Sequence, residues 1–238
     1  MNDAAPPVIP VNDQILEVRF TPNPCVMDRR GMWTKSLLKS FGLNEWQASE
    51  NRIEVHTGDN KLRAFVGFKN MGLSASDTNI DAFLERASQF VKTVIDLPDF
   101  SKPLYVERLG VRVKLSQPYE GTFGTLRTRY LERYGSIQMD LRQVLGQNVT
   151  VADVGYVFDF EDGAISFKIA AGPMEQEQLA QFLSGRPDLP AVALFYDIDH
   201  WVKPSTTWQA RDILETCTSL SKSAWEKFFR INELILRG

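Results

Sequence analysis

The residues best placed to do chemistry lie in two short stretches, Tyr105 to Leu115 (YVERLGVRVKL) and Ala193 to Trp201 (ALFYDIDHW). Read as a strand, the first puts Tyr105, Leu109, Val111, Val113 and Leu115 on one side, with Glu107 interrupting them. Val106, Arg108, Gly110, Arg112 and Lys114 fall on the other side. Two arginines flanking a glycine can hold a carboxylate or phosphate by paired hydrogen bonds, and the glycine would let such a ligand approach the backbone. In the second stretch Phe195, Asp197, Asp199 and Trp201 share one face, and Leu194, Tyr196, Ile198 and His200 share the other. If the two strands are neighbours, Arg108, Arg112 and Lys114 face Asp197, Asp199 or Asp153, and Asp159 also falls on a polar alternation. Such a ladder is worth about 0.2–1 kcal/mol per exposed pair.

Arg108, Gly110, Arg112, Lys114, Asp197 and Asp199 are therefore the candidate binding residues. Two readings stay open: a solvated or helix-covered face with compensated charges, or a recognition surface. Aspartates one residue apart can also hold a hard cation, but no motif for a phosphate-bearing substrate accompanies them, so no metal site is expected. Glu107 marks either a bulge or an acid buried against an arginine.

Catalytic motifs are absent from the sequence: it has no phosphate-binding glycine loop, no Gly-x-Ser-x-Gly, no His-Glu-x-x-His and no Cys-x-x-Cys. The two histidines, His56 and His200, fall on separate strands, so no catalytic residue and no cofactor are expected. Cys25 and Cys217 lack metal-ligand spacing and read as buried free thiols. The 238 residues carry a net charge of −3, which creates no general attraction to nucleic acid or an anionic membrane. No apolar run reaches the roughly 18 residues of a spanning helix, and the start MNDAAPPVIPVND lacks a basic, apolar leader. A cytoplasmic protein is expected.

The elements that must position these residues follow from periodicity. Residues 1–12 form a proline-rich lead-in, followed by a strand over 14–20 and a helix over 26–41 stopped by Gly42. Strands over 46–57 and 61–69 flank Gly58-Asp59-Asn60, residues 70–77 read as loop, and a helix capped by Thr78 or Asn79 runs to Ile95. After the central strand come a helix over 121–134 and a short helical piece over 139–145. Strands over 149–160 and 164–170 then flank Glu161-Asp162-Gly163, before a helix over 174–183 and a last strand over 189–201. The order strand, helix, strand, strand, helix, strand thus occurs twice. The expected class is α+β: two ferredoxin-like halves, 13–103 and 104–203, around one or more antiparallel sheets. Residues 204–238 close them as one long helix, or as a pair broken near 219–223 where Ser223 and Glu226 have capping-box spacing. The stripe Ile213, Leu214, Cys217, Leu220, Ala224, Phe228, Ile231 and Ile235 either covers a sheet face or meets a partner or second copy.

Four pieces, PVNDQILEVRF, ERLGVRV, VALFYDID and SAWEKFFRINELIL, resemble a sporadically distributed bacterial family defined by a shared sequence profile. This chain departs from it at Val113-Lys114-Leu115, where Tyr-Ile-Asn is the tendency, and in having Cys217 or Thr218 near a position that often holds histidine. The resemblance implies no activity or cofactor; its irregular distribution implies cargo of phage-defence or mobile-element loci. The expected function is a non-enzymatic binding or scaffold protein acting through a protein partner, or a homodimer formed through the C-terminal helix. The alternative, from the reuse of doubled ferredoxin-like architecture in RNA-binding and RNA-cleaving proteins, is an RNA-binding or RNA-processing protein. There Arg63, Arg108, Arg112 and Lys114 contact phosphates and His56 or His200 acts as base, though the acidic balance disfavours it.

Overall fold

Among the described residues, alternating apolar and polar residues along successive segments build one ten-stranded antiparallel sheet, and four helices with apolar stripes bury one of its faces. The computed structural model describes residues 10–100, 103–134, 152–183 and 186–236. Among them the order is β1 (Val11–Phe20), α1 (Cys25–Phe41), β2 (Glu45–Ala48), β3 (Arg52–His56), β4 (Leu62–Gly67), β5 (Asn70–Ser76) and α2 (Ile80–Ile95). Then follow β6 (Leu104–Pro118), α3 (Phe123–Tyr134), β7 (Tyr156–Asp162), β8 (Ile165–Glu175), α4 (Gln176–Phe182), β9 (Val192–Val202), β10 (Thr206–Trp208) and α5 (Ala210–Leu236). In space the strands run β2-β3-β4-β5-β1-β6-β9-β8-β7. β10 joins β6 beyond the end of β9, opposite Leu104 to Val106. The sheet is continuous across β6, so the two halves of the chain share it.

The buried face is made by Leu16, Val18 and Phe20 of β1, the odd-numbered residues from Leu109 to Leu115 of β6, and Leu194, Tyr196 and Ile198 of β9. α1 lies over β3, α3 over β8, and α5 over β6 and β9 with α2 beside it. The C-terminal stripe covers the sheet: Ile213, Cys217, Leu220, Ala224, Phe228 and Ile235 are buried beneath α5. Because this stripe is unbroken, α5 is one helix of 27 residues and the expected break at 219–223 does not occur. Ser223 instead accepts a hydrogen bond from Lys227 Nζ at 2.7 Å.

Several local expectations hold. Gly42 ends α1 in the left-handed conformation (φ 64°), and Asn79 caps α2 by accepting from the Ala82 N–H at 2.8 Å. Others are corrected. Residues 70–76 are a strand: Met71, Leu73 and Ala75 point into the core, while Gly72 and Ser74 are so small that the segment reads as loop. The stretch 46–57 divides into β2 and β3, because the Ser49 N–H closes a turn on Arg52 C=O at 2.8 Å. Residues 206–208 form a strand rather than the first turn of the last helix. Cys25 is only partly buried, whereas Cys217 is fully so; both are free. The helical piece expected over 139–145 lies outside the described residues, as do residues 149–151 of the expected strand.

Candidate binding face

The sheet face opposite α1, α2, α3 and α5 collects the candidate residues. Strand register sets them in rows: Gly110 lies between Glu17 of β1 and Trp201 of β9, Arg112 between Ile15 and Asp199, and Lys114 between Asp13 and Asp197. A β-bulge decides which residues of β6 belong to this face. Arg108 stands opposite Arg19 while Val106 stands opposite Phe20, leaving Glu107 as the extra residue. Glu107 and Tyr105 are exposed and Val106 is buried, so the strict alternation expected before Arg108 reverses there. The bulge, not a buried acid, accounts for Glu107.

The charged side chains are paired in an ordered lattice. Arg108 bridges two carboxylates, with Nη1 3.4 Å from Glu17 Oε2 and Nη2 3.1 Å from Asp199 Oδ2, and its guanidinium lies 5.2 Å from the Trp201 ring. A Cβ on Gly110 would sit 2.8 Å from Arg108 Nη1. The expected gap over Gly110 is therefore filled by Arg108, and no ligand is needed to explain the glycine. Arg112 holds Asp197 with two parallel hydrogen bonds, Nε to Oδ1 at 2.7 Å and Nη2 to Oδ2. Lys114, although opposite Asp197 in register, turns its Nζ 3.0 Å from the Phe182 carbonyl at the C-terminal end of α4. Asp153 accepts from Gln178 Nε2 at 3.1 Å and meets none of these arginines, and Asp159 lies opposite Lys168.

Protonation follows from these contacts. The hydrogen bonds from Arg112 to Asp197 push the Arg112 pKa up. Burial pulls the Glu17 carboxyl upward, but hydrogen bonds from Arg19 and Asn70, with both neighbouring arginines, hold it below the usual range. At Asp199 burial prevails over the attraction of Arg108 and Arg112, so its pKa is raised.

Two further clusters extend the lattice, and sequence reasoning missed most of their members. Glu54 is buried between Arg63 (Nε to Oε1 2.9 Å) and Arg52 (Nη2 to Oε2 2.6 Å), and the Arg52 guanidinium stacks 3.7 Å over Phe65. Burial opposes ionisation of Glu54, yet the two arginines lower its pKa. The Arg186 side chain is 5% exposed and reaches Asp13 at 3.5 Å, Asp188 at 3.3 Å, and Asp77. Outward alternation in LEVRF and RIEVH marks Glu17 and Glu54, but only the register reveals their partners. Arg186, in a loop, carries no periodic signal.

The histidines are well separated. His56 is on this face, with Nδ1 3.1 Å from the Thr57 carbonyl and 3.5 Å from Glu45 Oε2. His200 is fully buried on the helix side, stacked on Phe167 with ring centres 5.0 Å apart, and neither ring nitrogen has a hydrogen-bond partner. Burial, with Lys227 nearby, pushes its pKa down to about 4. Five strand spacings of about 4.8 Å place the two rings roughly 24 Å apart on opposite faces, so they cannot act on one reacting atom.

α4 packs on the same face as the lattice, at one end, where Leu179, Leu183, Leu189, Ala193 and Phe195 form a small second core. Beside it runs a groove of about 470 Å³, lined by Val157, Ala170, Gly172, Phe182, Phe195 and Asp197, among others. Among the described residues no group of three or more His, Cys, Asp or Glu side chains is placed to hold a metal ion. None of their helices is long and apolar enough to cross a membrane. Comparison with known proteins found no matching family model and no similar curated protein.

Proposed function

We propose that this chain is a cytoplasmic, non-enzymatic binding or scaffold protein whose uncovered sheet face docks a protein partner. The carrying observation is the exposure of a charge-ordered surface: Arg112 is 46% exposed, Arg19 53% and Arg63 45%, each already held in place by a carboxylate. Side chains fixed in this way meet a partner with little loss of rotamer freedom, and alternating charge sets the register of docking. Arg63, Arg108 and Arg112 would each have to exchange a protein carboxylate for a phosphate to bind RNA, so the same lattice favours a protein over a nucleic acid. The resemblance to a sporadic bacterial family supports a setting in phage defence or mobile elements. Partners carried by the C-terminal helix would meet its outer residues Phe229 and Leu234, since the inner stripe is buried.

We also read the halves as ferredoxin-like in ancestry. In the first, β1-α1-β4-β5-α2-β6 run in the required order and lie as β4-β5-β1-β6, with β2 and β3 added. In the second, β6-α3-β7-β8-α4-β9 keep the element order, but the strands lie as β7-β8-β9-β6, an exchange of the first and last.

The test is capture of partners by the intact chain from cells that carry its gene, beside R19E/R112E. A partner retained by the native chain and lost by the variant is expected. Recovery of no partner at any salt concentration, or undiminished recovery by the variant, refutes the reading.

A further inference from the structure

The end strand of the sheet offers a binding element separate from the arginine lattice. β7 pairs with β8 from Tyr156 opposite Ala171 to Asp162 opposite Ile165, and among the described residues no strand lies on its other side. Its seven residues present roughly 24 Å of edge, at about 3.4 Å per residue. Edges of this length are usually blunted by lysine, proline or a bulge. The segment YVFDFED has no lysine or proline, and its register with β8 is regular. At the other end of the sheet β2 has four residues, too few to template a long added strand.

The side chains of β7 are sorted by face. Phe158 and Phe160, 45% and 41% exposed, point to the helix side, where Phe160 stacks on Phe167 at 4.8 Å. Val157, Asp159 and Glu161 point to the other side. Glu161 stands opposite Ser166, so only Asp159 has a cation, Lys168, across the ladder. An added strand would set alternate side chains against the phenylalanines and against the acids. A second copy of β7 fits poorly: an antiparallel pair centred on Asp159 puts that residue against itself, and one centred on Phe160 puts Asp159 against Glu161.

We propose that β7 is a strand-addition site for an extended segment of a basic partner protein in which apolar residues alternate with lysine or arginine. The proposal rests on the protein-binding reading and gives it one mode of attachment.

The test uses the full-length protein and a fluorescent Lys-Val-Lys-Phe-Lys-Val-Lys peptide, with the matching Glu-Val-Glu-Phe-Glu-Val-Glu peptide as control. Binding is followed by anisotropy and located by amide hydrogen exchange. The lysine peptide should bind and slow exchange within Tyr156–Asp162. D159K/E161K should weaken it by at least about tenfold and transfer preference to the glutamate peptide, and the milder D159N/E161Q should give an intermediate loss. No binding, equal binding to D159K/E161K, or protection elsewhere overturns the proposal. So does a dimer, seen by light scattering, that protects β7 and strengthens in D159N/E161Q, since it would identify a second copy as the occupant. A native partner lost from R19E/R112E but kept by D159K/E161K would leave the general protein-binding reading intact and remove this one.

Discussion

Mild acid should destabilise this protein through one buried side chain. His200 is fully buried, stacked on Phe167, and without a hydrogen-bond partner at either nitrogen. Its pKa falls from 6.5 to about 4 on folding, chiefly because burial penalises the charged ring. The folded state thus prefers the neutral form, while the unfolded chain takes up a proton near its ordinary pKa. Stability from this residue is complete above pH 6.5 and is lost as pH falls toward 4. A depression of this size amounts to roughly 3 kcal/mol when fully expressed, of which about 2 kcal/mol is lost between neutrality and about pH 4.5. Urea denaturation of the native protein and H200L at several pH values isolates the effect, because only the slope with pH is compared. Glu17, Glu54, Asp188 and Asp199 titrate in both proteins and cancel in the difference. H200L should start less stable at neutral pH, through lost packing, yet lose about 2 kcal/mol less on acidification. Equal slopes would refute the reasoning and mean that the ring is solvated or paired when charged.

Other outcomes follow from packing and charge. G72A should lower stability by about 1–3 kcal/mol in urea denaturation, because its Cβ would fall 2.5 Å from the Phe65 ring and 2.7 Å from the Leu16 carbonyl oxygen. G31A, on α1 with nothing within 4 Å, should instead raise it by about 0.5–1 kcal/mol. E54Q should lower the thermal midpoint by the equivalent of about 2–4 kcal/mol, since it removes the carboxylate shared by Arg52 and Arg63; an unchanged midpoint would show that solvent already satisfies both arginines. At about pH 8 an alkylating reagent should modify Cys25 and spare Cys217, whose thiol burial pushes up to about 12; equal labelling by mass spectrometry would contradict that burial.

The lattice and the edge strand use charge differently. On the lattice every arginine named as a candidate has a carboxylate within reach, so the surface displays pattern rather than net charge. On β7 the acids exceed the one cation opposite them, leaving a local excess of negative charge. In the proposed roles, the first arrangement would discriminate among orientations and the second among signs of charge.

How much of this was legible in the chain depended on whether the determining forces are local. Hydrophobic period, capping residues and turn glycines act over a few positions, so α1, α2, β6, β9 and the turn at Gly58-Asp59-Asn60 could be read directly. The second turn falls on Gly163-Ala164, one step later than expected, because Glu161 and Asp162 pair with Ser166 and Ile165 in the ladder. The faces carrying Arg108, Arg112 and Lys114 and carrying Asp197 and Asp199 were legible for the same reason, since alternation assigns faces; that the two strands are neighbours was settled by the sheet. Three things were not. Strand β5 hid behind glycine and serine because burial on its inner side is settled by β1 and β4. The bulge at Glu107 depends on where β1 changes register, far away in sequence. The partners of Glu17, Glu54 and Arg186, the folding of Arg108 over Gly110, and the stacking of His200 on Phe167 arise only when strands and loops distant in sequence are brought side by side. Residue types and their faces are properties of the chain, whereas the choice of which charges meet belongs to the sheet, since backbone pairing between distant segments sets every distance on its surface.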